Sequence, residues 1–221
     1  MQLINAPDEI TFPSVEKAIE EQRLNRYFRQ GASDKKGAFA RYLWNAALCE
    51  SFVVPLQFGE ILCRNALHRA LTKRAGADWH SDKTFRIILS DRFQQELREV
   101  LAERARQHGT LVTAHHIVSG LTFGFWEHLA TKRFERYLWA KGVQHVFPGA
   151  PAGATHEDLH TLIESVRRWR NRIAHHKAIF DKKPDKKHDD AIQLIKWVCG
   201  DTGAWVAQES KFTKAMALKP N

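Results

Sequence analysis

Apolar residues recur at steps of three and four along nearly the whole chain, the spacing that places them on one side of an α-helix. A run over 14–30, opened by Ser14, carries Val15, Ala18, Ile19 and Leu24 on one side. Gly31-Ala32-Ser33-Asp34 stops that run and caps the next helix. Phe39, Leu43, Ala46, Ala47 and Phe52 keep the helical spacing until Pro55 interrupts or restarts it. The pattern continues over 56–74 and ends at Gly76, and Asp91 caps a further helix over 92–107 that Gly109 closes. Thr113 or Ser119 opens an aromatic-rich helical region that runs through Trp139 and ends at Gly142. A loop of small residues over 148–153 precedes Thr155, which forms a capping-box pattern with Asp158. The best strand candidate, Phe85-Arg86-Ile87-Ile88-Leu89, is short, and no repeat of fixed period is present. The expected fold class is therefore all-α. One domain over 1–221 is expected, with an N-terminal helix and linker over 1–35, a core over 36–200 and a tail over 201–221 that frays at its end.

From Thr155 the apolar positions are Leu159, Leu162, Ile163, Val166, Trp169 and Ile173, a single buried stripe. Near its end stands Arg170-Asn171-Arg172-Ile173-Ala174-His175. Asn171 and His175 are four apart, and Arg167 lies four before Asn171, so the three share a polar flank. Arg170 falls at the edge of the buried stripe, where a guanidinium is costly unless it is paired or faces an interface. An acid such as Glu164 or Glu127 is one partner open to it, and a symmetric helix of a second copy is another. Arginine stays charged and grips phosphate oxygens two at a time, while histidine exchanges a proton near neutral pH. Together they suit chemistry at a phosphodiester.

Charge points the same way. The chain has 34 Lys+Arg against 25 Asp+Glu, a formal net charge of +9 in 221 residues, which favours a polyanionic partner. Cys49, Cys63 and Cys199 are odd in number and far apart, fitting neither a disulfide framework nor a zinc site, and each sits in an apolar stretch as a buried reduced thiol would. The N-terminus lacks the basic start and apolar core of a signal peptide, and no stretch approaches a membrane span, so a cytoplasmic protein without a membrane partner is expected.

Four stretches resemble those of the Abi-like (abortive infection) branch of the HEPN ribonucleases. They are Phe58-Gly59-Glu60-Ile61-Leu62-Cys63-Arg64-Asn65-Ala66-Leu67-His68, Ser119-Gly120-Leu121-Thr122-Phe123-Gly124-Phe125-Trp126, Phe134-Glu135-Arg136 and Trp169-Arg170-Asn171-Arg172-Ile173-Ala174-His175-His176. The resemblance implies a HEPN-like helical bundle elaborated with extra N-terminal and C-terminal helices. It implies Arg170 and His175 as a catalytic pair, Asn171 as the residue that orients them, and a composite site in a homodimer. The implied reaction is cleavage of RNA without a metal or other cofactor, by attack of a ribose 2′-OH on the adjacent phosphate. The implied role is phage defence, in which an antitoxin, a bound noncoding RNA or a phage trigger holds the toxin-like nuclease in check. A catalytically inactive RNA-binding regulatory module using the same basic cleft is the alternative, and a helical protein–protein adaptor is a third reading.

Other features carry two readings each. Arg64 and His68 share a helix face and either contact RNA or serve structure, with Glu60 four residues before Arg64 as an ion-pair partner. Lys182-Lys183-Pro184-Asp185-Lys186-Lys187-His188 is a solvated turn or, with Lys177, Arg167 and Arg168, a phosphate-gripping rim in which Lys182, Lys183 and Lys186 contact RNA. His115-His116 and the aromatics Phe123, Phe125 and Trp126 read as structure and core rather than as a metal site.

Overall fold

The computed structural model describes residues 5–28 and 34–220, and every regular element among them is helical. Residues 1–4, where the N-terminus was expected to lack a leader, and 29–33, with the expected stop at Gly31-Ala32-Ser33, lie outside the described residues. The first expected helix is two: α1 (Phe12–Ile19) and α2 (Glu21–Phe28), separated by Glu20 at φ 62°. Pro13 in the first turn opens α1, so Ser14 is not its cap. The break lets two short helices lay Phe12, Ile19 and Leu24 on Phe39 and Leu43 of the next helix, which one straight rod over 14–30 would not do.

Asp34 accepts the Gly37 amide at 2.7 Å and starts α3 (Lys35–Ser51). Phe52 keeps right-handed helical angles between it and α4 (Val53–Ala75), where Pro55 falls in the first turn and forfeits no intrahelical bond. The near-continuous run Lys35–Ala75 spans 41 residues and holds an 18-residue window of mean hydropathy 1.4, 39% of it buried. By length and composition that run suffices to cross a membrane, which corrects the expectation that no stretch approaches such a length. Its Trp44, Leu48, Phe52, Leu56, Cys63 and Leu67 lie in the main core.

The strand expected at 85–89 is instead α5 (Lys83–Ile88). Asp82 accepts the Phe85 amide at 2.7 Å, and the turn drives Phe85 among Trp79, Phe134 and Tyr137 while Ile87 faces solvent. Helix α6 (Asp91–His108) follows, with Ser90 rather than Asp91 at its cap position, then α7 (Ala114–Gly120) with Thr113 at its head, and α8 (Phe123–His128). A π-helical turn over Glu135–Trp139 completes the aromatic region. The chain then forms α9 (His156–Ala174), α10 (Pro184–Val198), α11 (Gly200–Glu209) and α12 (Phe212–Ala217).

One apolar cluster runs from Trp44 to Ala215, with Trp79, Trp126, Phe85, Phe125 and Phe134 at its centre. The tail belongs to it. Phe212 and Ala215 are buried and the Trp44 indole donates to the Ala215 carbonyl at 2.8 Å, so the tail is packed through α12, while Asn221 at its end lies outside the described residues. Of the three free thiols, Cys63 is buried and pushed up in pKa by that burial, whereas Cys49 and Cys199 are only partly covered.

Candidate active site

Helix α9 begins as its sequence dictates. The Thr155 hydroxyl accepts the Asp158 amide at 3.1 Å and the Asp158 carboxylate accepts the Thr155 amide at 2.9 Å. Leu159, Leu162, Ile163, Val166 and Trp169 are buried as the stripe requires. At the far end His176 adopts φ 52°, with its amide donating to the Ile173 carbonyl at 2.8 Å and that of Lys177 to Arg172 at 3.0 Å. That is a Schellman closure with histidine where glycine usually stands. His175 is the last residue before this turn and is exposed.

The segment after the turn is fastened from three sides. The buried Asn45 carbonyl oxygen on α3 accepts the amides of Ile179 (2.7 Å) and Phe180 (3.3 Å). Arg172 donates to the Ala178 carbonyl at 2.8 Å. From α2, Arg23 donates to the His176 carbonyl at 3.0 Å, and Arg26 reaches both Asp181 carboxylate oxygens at 2.9 and 2.7 Å.

The polar residues of α9 divide between two sides. On the α4 side, Arg170 donates through Nε and Nη2 to both oxygens of Glu60, each at 3.1 Å, and through Nη1 to the Asn171 side-chain oxygen at 3.1 Å. Arg167 pairs with the buried Glu127 of α8, a contact that raises the guanidinium pKa, and the His160 ring lies 3.7 Å from the same carboxylate. On the α10 side a depression of about 610 Å³ is lined by Arg168, Asn171 and Arg172 from α9, by His175 just past its end, by Lys177 and Lys182, and by Lys187. Glu164 is the sole carboxylate there, and Arg168 pairs with it at 3.1 Å. An adjoining cavity of about 580 Å³ shares Thr161, Ser165 and Lys187 and adds Lys186. Where the two meet, Lys187 donates to the Ser165 hydroxyl at 2.7 Å and lies 3.3 Å from Asp190, to which Ser165 also donates.

This geometry redistributes the expected site. His175 and Asn171 share one depression with Arg168, Lys177 and Lys182, and Lys186 lines its neighbour. Arg170 does not line it. Five residues of helix separate it from His175, about 140° around the axis, so one subunit does not bring the pair together. The acid that holds Arg170 is Glu60, neither Glu164 nor Glu127, and among the described residues no ion pair joins Glu60 to Arg64. Arg167 is turned from the expected flank by Glu127. Arg64 and His68 also lie elsewhere: the His68 Nδ1 accepts the Trp79 indole at 3.1 Å, and burial lowers the ring's pKa. Lys183 is exposed at φ 54°, just before Pro184.

Arg172, Ser165 and Lys187 complete the depression; Lys187 belongs to the basic run over 182–188 read as a solvated turn or phosphate-gripping rim, whereas sequence reasoning gave Arg172 and Ser165 no role there. Their spacing was the available signal: Thr161, Ser165, Arg168, Arg172 and His175 succeed one another at three or four residues. Among the described residues no three His, Cys, Asp or Glu side chains gather as a metal-binding group. No protein family, curated protein or solved structure matches the chain.

Proposed function

We propose that this chain is an endoribonuclease of the HEPN type, acting in phage defence through a composite site formed by two copies. The observation that carries the reading is His175, exposed at the end of α9 on a depression with five cationic side chains and one carboxylate. Its imidazole accepts the proton of a ribose 2′-OH, whose oxygen attacks the adjacent phosphorus. The bond from phosphorus to the 5′-oxygen breaks, that oxygen gains a proton, and the products end in a 2′,3′-cyclic phosphate and a 5′-OH. Arg170 of one copy faces His175 of the other and stabilises the charge on the pentacoordinate phosphorus, with Asn171 steadying the guanidinium. Lys177, Lys182 and Arg172 hold the neighbouring phosphates. In the cytoplasm an antitoxin, a noncoding RNA or a phage trigger governs when the strand reaches this site.

The two-pronged hold of Glu60 on Arg170 favours a second reading, an RNA-binding regulatory module that does not cleave. Cleavage assays in EDTA decide between them. The nuclease reading expects His175→Ala to lose cleavage while keeping RNA affinity and thermal stability. It also expects a single 2′-deoxy substitution at the cut site to block the reaction. Cutting of that deoxy substrate, or full activity of His175→Ala, sinks the proposed chemistry, and a wild-type protein that binds RNA and never cuts it establishes the module.

A further inference from the structure

Away from α9, the second half of α4 meets the π-helical turn Glu135–Trp139 and the short 3₁₀ turn Val143–His145 around a cavity of about 530 Å³. Arg69, Lys73, Arg74, Arg136, Lys141 and His145 ring it, all exposed, and no carboxylate lines it. Its floor is apolar, made by Ala66, Ala70, Leu138 and Val146. An adjoining cavity of about 510 Å³ shares Arg74, Arg136 and Tyr137 and adds Lys132 and Arg133 against Glu135 alone. The two form one continuous basic trough.

These charges are not neutralised within the fold. None of the ion pairs among the described residues reaches Arg69, Lys73, Arg74, Arg136 or Lys141. The Lys73 ammonium instead lies 3.2 Å from the His145 Nε2, and the Arg74 guanidinium sits over the Tyr137 ring, 5.1 Å from its centroid. Arg69 and Lys73 are four apart on one helix, a like-charge pair that works against the helix unless an anion comes between them. The trough is also distinct from the His175 depression. It shares no lining residue with it, and Arg69 and Lys73 lie about 14–20 Å along α4 from Glu60, where Arg170 is held.

We propose that this trough is a second nucleic-acid site, which holds the backbone of a single strand by its phosphates. Two adjoining cavities, sharing Arg74, Arg136 and Tyr137, spread eight cationic or imidazole side chains over two volumes, which suits successive phosphates better than one compact anion. The apolar floor between cationic walls covers the faces of unstacked bases, and Tyr137, which lines both cavities, is the one aromatic side chain among the apolar lining residues. The proposal does not depend on cleavage at His175.

The test uses the full chain and a short fluorescent oligodeoxythymidine, which the 2′-OH chemistry cannot consume, with anisotropy read across a salt titration. The triple variant Arg69→Ala, Lys73→Ala, Arg136→Ala is expected to bind roughly tenfold or more weakly, and the slope of log affinity against log salt to fall by about 2. Its melting curve should match the parent's, because all three side chains are exposed; should it not, Lys141→Glu, on a separate segment, is read in the same way. Unchanged affinity and slope overturn the proposal. So does competition by ATP or tripolyphosphate as effective, per phosphate, as that of the unlabelled strand, since the trough would then be a site for a free phosphate ligand.

Discussion

His176 adopts φ 52°, a region in which the Cβ of an L-residue crowds the following carbonyl oxygen. Glycine has no such crowding, although it also gains more freedom in the unfolded chain. His176→Gly should therefore stabilise the protein by about 0.5–1 kcal/mol in urea titrations, and under the proposed reaction cleavage should persist, because that reaction moves its proton through His175. Loss of cleavage there would mean that the roles of the adjacent histidines have been exchanged. Glu60 poses a different question. Its pair with Arg170 is two-pronged but partly open to solvent, with 43% of the arginine side chain exposed, so water screens it to about 1 kcal/mol or less. Glu60→Gln should cost no more than that in stability and should tighten RNA binding several-fold, since Arg170 would no longer share its charge. Binding left unchanged in a filter or anisotropy assay would show that Arg170 meets no phosphate.

Helix α9 was the most legible element because its cap, its buried stripe and its polar faces are all written in local spacing, from Thr155 to Trp169. The same reading failed where distant packing decides the backbone. Phe85-Arg86-Ile87-Ile88-Leu89 has strand-like residues, yet the Asp82 cap and the aromatic pocket around Phe85 make it a helix. The break at Glu20 likewise answers to apolar residues on α3, which the pattern of 14–30 alone does not contain. For the site, the neighbourhood of Asn171 and His175 followed from their separation of four, whereas the partner of Arg170 came from α4, more than a hundred residues earlier in the chain. Contacts between elements also set the tolerance of the loop over 148–153. Gly149 donates its amide to the Trp197 carbonyl at 2.9 Å, and a Cβ added there would collide with the Lys196 carbonyl oxygen. Gly149→Ala should cost about 1–3 kcal/mol by forcing that loop off the end of α10, measured as a lower urea midpoint with an unchanged slope.

Across the whole molecule, buried neutral imidazoles tie stability to pH. The His128 Nε2 accepts the Ser90 amide at 3.2 Å beside the Phe93 ring, and burial, helped by Arg133 and His160, lowers its pKa from 6.5 to about 4. Burial also lowers the pKa of His68 and His188. Above pH 6.5 the His128 ring is neutral whether the chain is folded or not; between 6.5 and about 4 the unfolded chain takes up the proton and the folded one resists it. Thermal midpoints should hence be highest above pH 6.5 and decline steadily toward pH 4, and His128→Gln should flatten that decline. A midpoint insensitive to pH over this window would contradict the buried acceptor role. The grip of Arg23 and Arg26 on the far side of the α9 turn has its own consequence. Deuterium exchange would reveal the N-terminal helices as a detachable brace: trimming them should quicken solvent access to the Ile179 and Phe180 amides and leave the tryptophan-rich centre sealed, so a fusion at that end would act as a tuning screw on the turn that follows α9.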